Sequence, residues 1–224
     1  MTMIRGSLLP VLFLFTTLIT FSQEQDFGVW LSVNAEYSIL EKLELDASVE
    51  MRTFNRASEI EQTFIQAGLT YKINKVFSVA GSYRLANSIE NDNAYYLRHK
   101  WFADAKAKFE PGRFTLRGRM RFQEQRRTYY KNEEYILPRY QVRLKLTTVY
   151  RTRSFPLNPY MEFETFMPVF SDKERTIGKN RFTAGIEYKF NKTHAVDLEY
   201  KFERDYLPKI NDIHVIGLAY NLKF

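Results

Sequence analysis

The stretch that decides the fold is Leu43-Glu44-Leu45-Asp46-Ala47-Ser48-Val49-Glu50-Met51. Leu43, Leu45, Ala47, Val49 and Met51 share one parity, and Glu44, Asp46, Ser48 and Glu50 share the other. Successive side chains of an extended chain point to opposite faces, so a period of two makes a strand with one aliphatic and one charged face. A helix of about 3.6 residues per turn would scatter the same residues around its axis.

The pattern recurs along the chain. Ile65, Ala67, Leu69, Tyr71 and Ile73 alternate with Gln66, Gly68, Thr70 and Lys72, and Phe77, Val79, Tyr83 and Leu85 with Ser78, Ser82 and Arg84. Phe114, Leu116, Met120 and Phe122 oppose Arg117, Arg119, Arg121 and Gln123, while Tyr140, Val142, Leu144 and Leu146 oppose Arg139, Gln141, Arg143 and Lys145. Phe182, Ala184, Ile186, Tyr188, Val196, Leu198, Tyr200 and Phe202 complete the apolar parity against Glu187, Asp197, Glu199 and Glu203. Short links at Glu41-Lys42, Asn74-Lys75, Glu110-Pro111-Gly112 and Asn191-Lys192-Thr193 alternate with longer polar links at 54–61, 86–94, 127–133, 171–180 and 205–211. Short links on one side and long links on the other are the plan of an up-and-down antiparallel meander.

Residues 1–22, MTMIRGSLLPVLFLFTTLITFS, are a leader rather than part of the fold: Arg5, an apolar run from Leu8 to Phe21, then a small-residue site before Gln23. The run falls short of the roughly 20 residues a spanning helix needs, so the expectation is a signal peptide cut between Ser22 and Gln23, leaving 23–224 as a single barrel domain. With no cysteine in the chain, a lipid anchor on cysteine, a disulfide framework and thiolate chemistry are all excluded. An aromatic content of 16% and a hydrophobic content of 45% exclude disorder. The formal charge of +7 raises an anionic partner, but export removes nucleic acid from consideration.

A soluble barrel would turn its apolar face inward, whereas a membrane barrel turns it to lipid and lines its lumen with the polar face. Aromatics of the apolar parity stand beside the short links: Tyr71 and Phe77 around Asn74, Phe109 and Phe114 around Pro111, Tyr188 and Phe190 before Asn191. Rings placed so are expected at the headgroup level of a bilayer. The chain closes on Tyr220, Leu222 and Phe224 at alternate positions, a strand of the kind read by the barrel assembly machinery. The expectation is an all-β fold, a transmembrane up-and-down antiparallel β-barrel in the outer membrane of a Gram-negative bacterium, with that membrane's lipids around it. About eleven runs are legible, with 27–37 and 134–150 the least regular. Because single-chain bacterial barrels have even strand numbers, ten or twelve strands are expected.

With the polar parity inside, the charge becomes local. Arg117, Arg119 and Arg121 follow Lys100, Asp104, Lys106 and Lys108 and precede Arg139, Arg143 and Lys145, a basic wall; Glu162, Glu164, Arg181 and the carboxylates of the early and late strands flank it. Three readings follow. The rows form a narrow conduit biased to small anionic solutes, or they pair across the lumen and plug a structural or adhesive barrel, or the barrel hydrolyses lipid. The last has least behind it, because His99, His194 and His214 fall on the apolar parity and Ser171 lies in a loop. No spacing suggests a metal site, and no cofactor is expected.

Taken in order, GVWLSVNAEY, EMR, GLTYKINKVFSVAGSYR, LRHKW, RGRMRFQ, PRYQVRLKL, PYMEFETF, NRFTAGIEYKF and the closing LAYNLKF resemble the outer-membrane family known as domain of unknown function 2490, common in Bacteroidetes. Arg119, Arg121, Arg139, Glu164 and Arg181 fall where the resemblance places that family's Arg and Glu positions, while Gln141 departs from it where a further basic residue is expected. The resemblance implies fold and location, and no activity.

Overall fold

The alternation is realised strand by strand. In the computed structural model, which describes residues 26–89, 93–127, 138–169, 177–207 and 210–224, the chain forms β1 (Asp26–Leu40), β2 (Leu43–Phe54), β3 (Glu59–Lys72), β4 (Phe77–Ile89), β5 (Tyr95–Phe109), β6 (Phe114–Arg127), β7 (Arg139–Tyr150), β8 (Leu157–Val169), β9 (Lys179–Lys189), β10 (His194–Asp205) and β11 (Asn211–Lys223). Each strand pairs with its sequence neighbours, and β1 also pairs with β11, closing the sheet into a barrel. The expected leader, residues 1–22, lies outside the described residues, as do most of the long links 127–133 and 171–180.

The expectation of ten or twelve strands is corrected to eleven. The run at 27–37 is a full strand, and the irregular stretch to Tyr150 contributes one strand from Arg139. A meander reverses at every link, so an odd number brings the first and last strands together pointing the same way. β1 and β11 accordingly form a parallel ladder, unbroken from Asp26↔Ile213 to Glu36↔Lys223. Even numbers are required only when closure must be antiparallel; a parallel ladder satisfies the backbone too, slightly less stably per residue.

Side chains reinforce this seam. Asn34 Nδ2 donates to Asn221 Oδ1 at 2.9 Å, the Phe224 amide donates to the Glu36 carbonyl at 2.8 Å, and Lys223 pairs with Glu36. At the opposite end, Asp26 accepts the backbone amides of Asn55 at 3.2 Å and Arg56 at 3.1 Å. Asn55, Arg56 and Ala57 take positive φ of 50, 56 and 63°, a curl that aims successive N–H groups at one anion.

A walk around the ladders from Leu40 passes Leu43, Tyr71, Val79, Ala105, Met120, Leu144, Thr165, Asn180 and Arg204 to Asp212, next to the Ile213 that partners Asp26. The stagger is thus the whole length of β1, as strands tilted by about 35–45° require. The apolar parity faces outward: Val49 is 57% exposed, Ile65 57%, Leu146 66% and Leu198 56%. Rings gather at the short turns, as expected, and also in a second girdle toward the long links, built from Tyr83, Trp101, Phe122, Tyr200 and Phe202. His99 lies ten positions along β5 from Phe109, and His214 ten along β11 from Phe224, a separation that tilted strands convert to roughly the thickness of a hydrocarbon core.

Closure through β1 and β11 has a direct test in a chain without cysteine. Asn34→Cys with Asn221→Cys should form an intramolecular disulfide under mild oxidant, read as a reductant-sensitive gel shift of the unfolded chain. Failure to cross-link would refute the eleven-stranded closure.

Candidate functional site

The polar parity lines the lumen, and the lumen divides into two levels. Toward the long links lies a belt in which arginines alternate with inward aromatic rings. The Arg52 guanidinium stands 3.8 Å from the centroid of Trp30 and 5.3 Å from that of Phe64; Arg84 stands 3.6 Å from Phe64 and 5.3 Å from Phe102; Arg121 stands 4.3 Å from Phe102. From the other side of Trp30, Arg181 stands 4.9 Å from that ring and 5.0 Å from Phe166, and Arg143 stands 4.3 Å from Phe166. Arg121 and Arg143 are direct ladder partners, so the circuit closes around the inner wall. Each face-on contact contributes about 0.5–2 kcal/mol.

Carboxylates tie the belt. Arg121 grips Asp104 through two bonds, Nε to Oδ1 at 2.6 Å and Nη2 to Oδ2 at 2.7 Å. Glu164 receives Arg119 at 2.6 Å, Arg143 at 2.9 Å and Arg181 at 3.5 Å, while Arg181 also pairs with Glu203, which takes Lys179 at 2.8 Å. Arg52 holds Glu50 at 2.5 Å, and Arg84 forks onto the neutral Gln66 Oε1 at 2.9 and 2.7 Å. These groups are packed away from water: Trp30 is 7% exposed, Phe64 3%, Phe102 4%, Phe166 6%, Glu164 3% and Glu203 2%. An aromatic ring projecting into a wide wet pore would not be.

The expected lumen charges therefore separate. Arg119, Arg121, Arg143, Glu164 and Arg181 come together in or against the belt. Lys145 pairs with Glu162 at 2.7 Å just below it, and Thr147 adds a hydroxyl bond to Glu162 at 2.9 Å. Arg117 faces open lumen toward the short turns and Arg139 stands exposed toward the long links; neither has a hydrogen-bond or ion-pair partner among the described residues. The inward rings are not among the lumen residues expected from the sequence, although it carries their signal: Trp30, Phe64, Phe102 and Phe166 occupy the polar parity between Gly28 and Ser32, Gln62 and Gln66, Lys100 and Asp104, and Glu164 and Pro168.

Below the belt the lumen opens. One cavity of about 910 Å³ is lined by Asp46, Lys106, Arg117, Glu187, Asp197 and Lys223 among others, and a neighbouring one of about 530 Å³ by Glu44, Lys72, Arg119, Lys145 and Glu162 among others. Tyr160 lies flat over Gly185, where an added Cβ would meet the ring at 2.5 Å, and its hydroxyl donates to Glu199 at 3.0 Å. All three histidines point outward, and each bonds a tyrosine of the adjacent strand: His99 to Tyr83, His194 to Tyr220 at 2.6 Å and His214 to Tyr200 at 2.5 Å.

An apolar outer wall, a charged lumen and a closed sheet define a β-barrel of the kind found in outer membranes. The β-domain of the Bordetella autotransporter BrkA superposes with a TM-score of 0.52 at 12% identity, over 80% of this chain and 82% of that one. A bacterial polysaccharide outer membrane secretin gives 0.48 at 10% identity over 79% and 73%, and Pseudomonas aeruginosa OccK11 (OpdR) 0.38 at 15% over 77% and 53%. The chain belongs to the family of proteins of unknown function DUF2490, whose profile matches residues 27–214. No curated protein matches it in sequence.

Glu164→Gln would leave buried guanidiniums without their shared carboxylate and should destabilise the folded barrel by about 3–5 kcal/mol in urea unfolding from micelles. Lys223→Met, which removes a rim pair 60% exposed on the lysine side, should change stability by less than about 1 kcal/mol. Equal effects would contradict the central place given to Glu164.

Proposed function

We propose that the protein is a resident of the outer membrane of a Gram-negative bacterium, exported on residues 1–22, with its long links outside and its short turns in the periplasm. Its lumen is a blind cup and not a through-going channel. The outward band between two aromatic girdles supports membrane residence. Tyr220, Leu222 and Phe224 face outward on the last strand and serve as the signal to the assembly machinery.

The observation that carries the cup is the belt. An anion-selective conduit needs donors left free for the ion along a wet path. Arg119, Arg121, Arg143 and Arg181 hold carboxylates instead, and the rings between them are buried. The conduit is the second reading, favoured by one feature: Arg84 and Lys100 are directly opposed cations with no carboxylate within ion-pair distance among the described residues. It requires the belt to open. The lipid-hydrolase reading gains nothing from histidines that each bond a tyrosine.

In planar bilayers the wild-type barrel should show no steady conductance. Arg143→Ala combined with Phe166→Ala should produce discrete open steps by removing neighbouring members of the belt. A steady ohmic current through the wild type, equal to that of the variant, would overturn the cup.

A further inference from the structure

We infer that the short-turn half of the lumen binds a small zwitterion, its ammonium group between Asp197 and Glu187 and its anionic group at Arg117. This rests on the cup-shaped lumen proposed above. The short turns 41–42, 73–76, 110–113, 151–156 and 190–193 all belong to the described residues.

Most charges around the 910 Å³ cavity are already answered. Lys106 donates to Thr70 Oγ1 at 3.2 Å, and that hydroxyl donates to Asp46 at 2.7 Å. Arg121 is held by Asp104, Lys223 by Glu36, and Lys189 pairs with Glu187 at 3.1 Å.

Lys192, in the short turn between β9 and β10, also lines the cavity without an ion pair among the described residues; on the strands themselves two groups stand out. Asp197 Oδ2 accepts Asn221 Nδ2 at 3.0 Å, but its Oδ1 is buried and receives no donor among the described residues. The exposed Arg117 on β6 lines the same cavity with no hydrogen-bond or ion-pair partner among the described residues. Both sit in like-charge ladder pairs, Asp197 directly opposite Glu187 and Arg117 directly opposite Lys108. Directly opposed like charges destabilise a sheet. Glu187 already has Lys189, and Lys108 has Glu110 at 3.1 Å, so Asp197 and Arg117 are the unanswered member of each pair, and a cation beside the first and an anion beside the second would relieve both walls. One simple ion can serve one wall only. A molecule carrying both charges at separated ends serves both.

The test is isothermal titration of the full mature chain in detergent micelles, at low salt, with alanine peptides of two to five residues, whose length grows by about 3.4 Å per residue. At least one length should bind with Kd below about 1 mM. For that length, acetylating the amino end or amidating the carboxyl end should each weaken binding more than threefold. Asp197→Asn should abolish the effect of the first cap and Arg117→Ala that of the second. Among the described residues neither holds an ion pair, so both variants should keep wild-type heat-modifiable gel migration. The proposal falls if no length binds below about 1 mM, or if either cap leaves affinity within a factor of three. A barrel that conducts yet binds the peptide loses the cup and keeps the site; a silent barrel that binds nothing loses the site alone.

Discussion

In hydrocarbon each unpaired backbone N–H or C=O costs several kcal/mol, and a sheet escapes that cost only by having no edge. Closure is therefore the constraint on which the other features depend. It forces the parallel seam between β1 and β11, fixes the tilt through the stagger of the ladders, and sets two parities against two solvents. The seam also separates the ends of its own strands: Asp26 lies at the long-link end and Phe224 at the short-turn end. Interactions that cross or flank it, such as Asn34 with Asn221 and Asp26 with the curl at Asn55, reinforce the strand pair that closes the sheet.

Closure creates an interior, and filling it raises a second problem, because nearly all the charges that β4 to β7 point inward are cations, Asp104 being the exception. Arg121 faces Arg143 and Arg119 faces Lys145 across the ladders. Alone, these oppositions would push the wall apart. Three devices answer them: carboxylates on adjoining strands, shared as Glu164 is shared; neutral acceptors such as Gln66; and aromatic faces interleaved with the guanidiniums. Removing one partner of such a set costs more than the pair contributes, because the survivor stays buried and charged.

The alternation that begins at Leu43 to Met51 and recurs along the chain places most strands and both faces, because side-chain direction follows parity within a regular strand; the register shifts at Ser38/Leu40 and Arg52/Thr53 break it, so that Leu40 pairs with Leu43 and Ile60 with Thr53. A rule of even closure points to ten or twelve strands, whereas the apolar runs themselves count to about eleven, the number observed among the described residues. The basic wall was legible, but its pairing was not: Glu164 gathers Arg119 from β6, Arg143 from β7 and Arg181 from β9, and the register that brings them together is set by ladders between distant segments. The long links are shorter than their composition suggests, at 86–94 above all, because Ala86 and Ser88 look like loop residues yet are buried on the inner face of β4. Small side chains there leave room for Phe64 and Gln62, a packing reason with no local sequence signature.

A belt toward one end and a wet cavity toward the other make the lumen asymmetric, and the asymmetry is the central claim. It is tested most directly by one-sided labelling of single cysteines placed above and below the belt in a chain that otherwise has none. With a membrane-impermeant maleimide added to proteoliposomes of known orientation, Lys100→Cys should react from the long-link face only, and Arg117→Cys from the short-turn face only. If Arg117→Cys reacts equally fast with reagent supplied at the long-link face, the belt does not close the barrel.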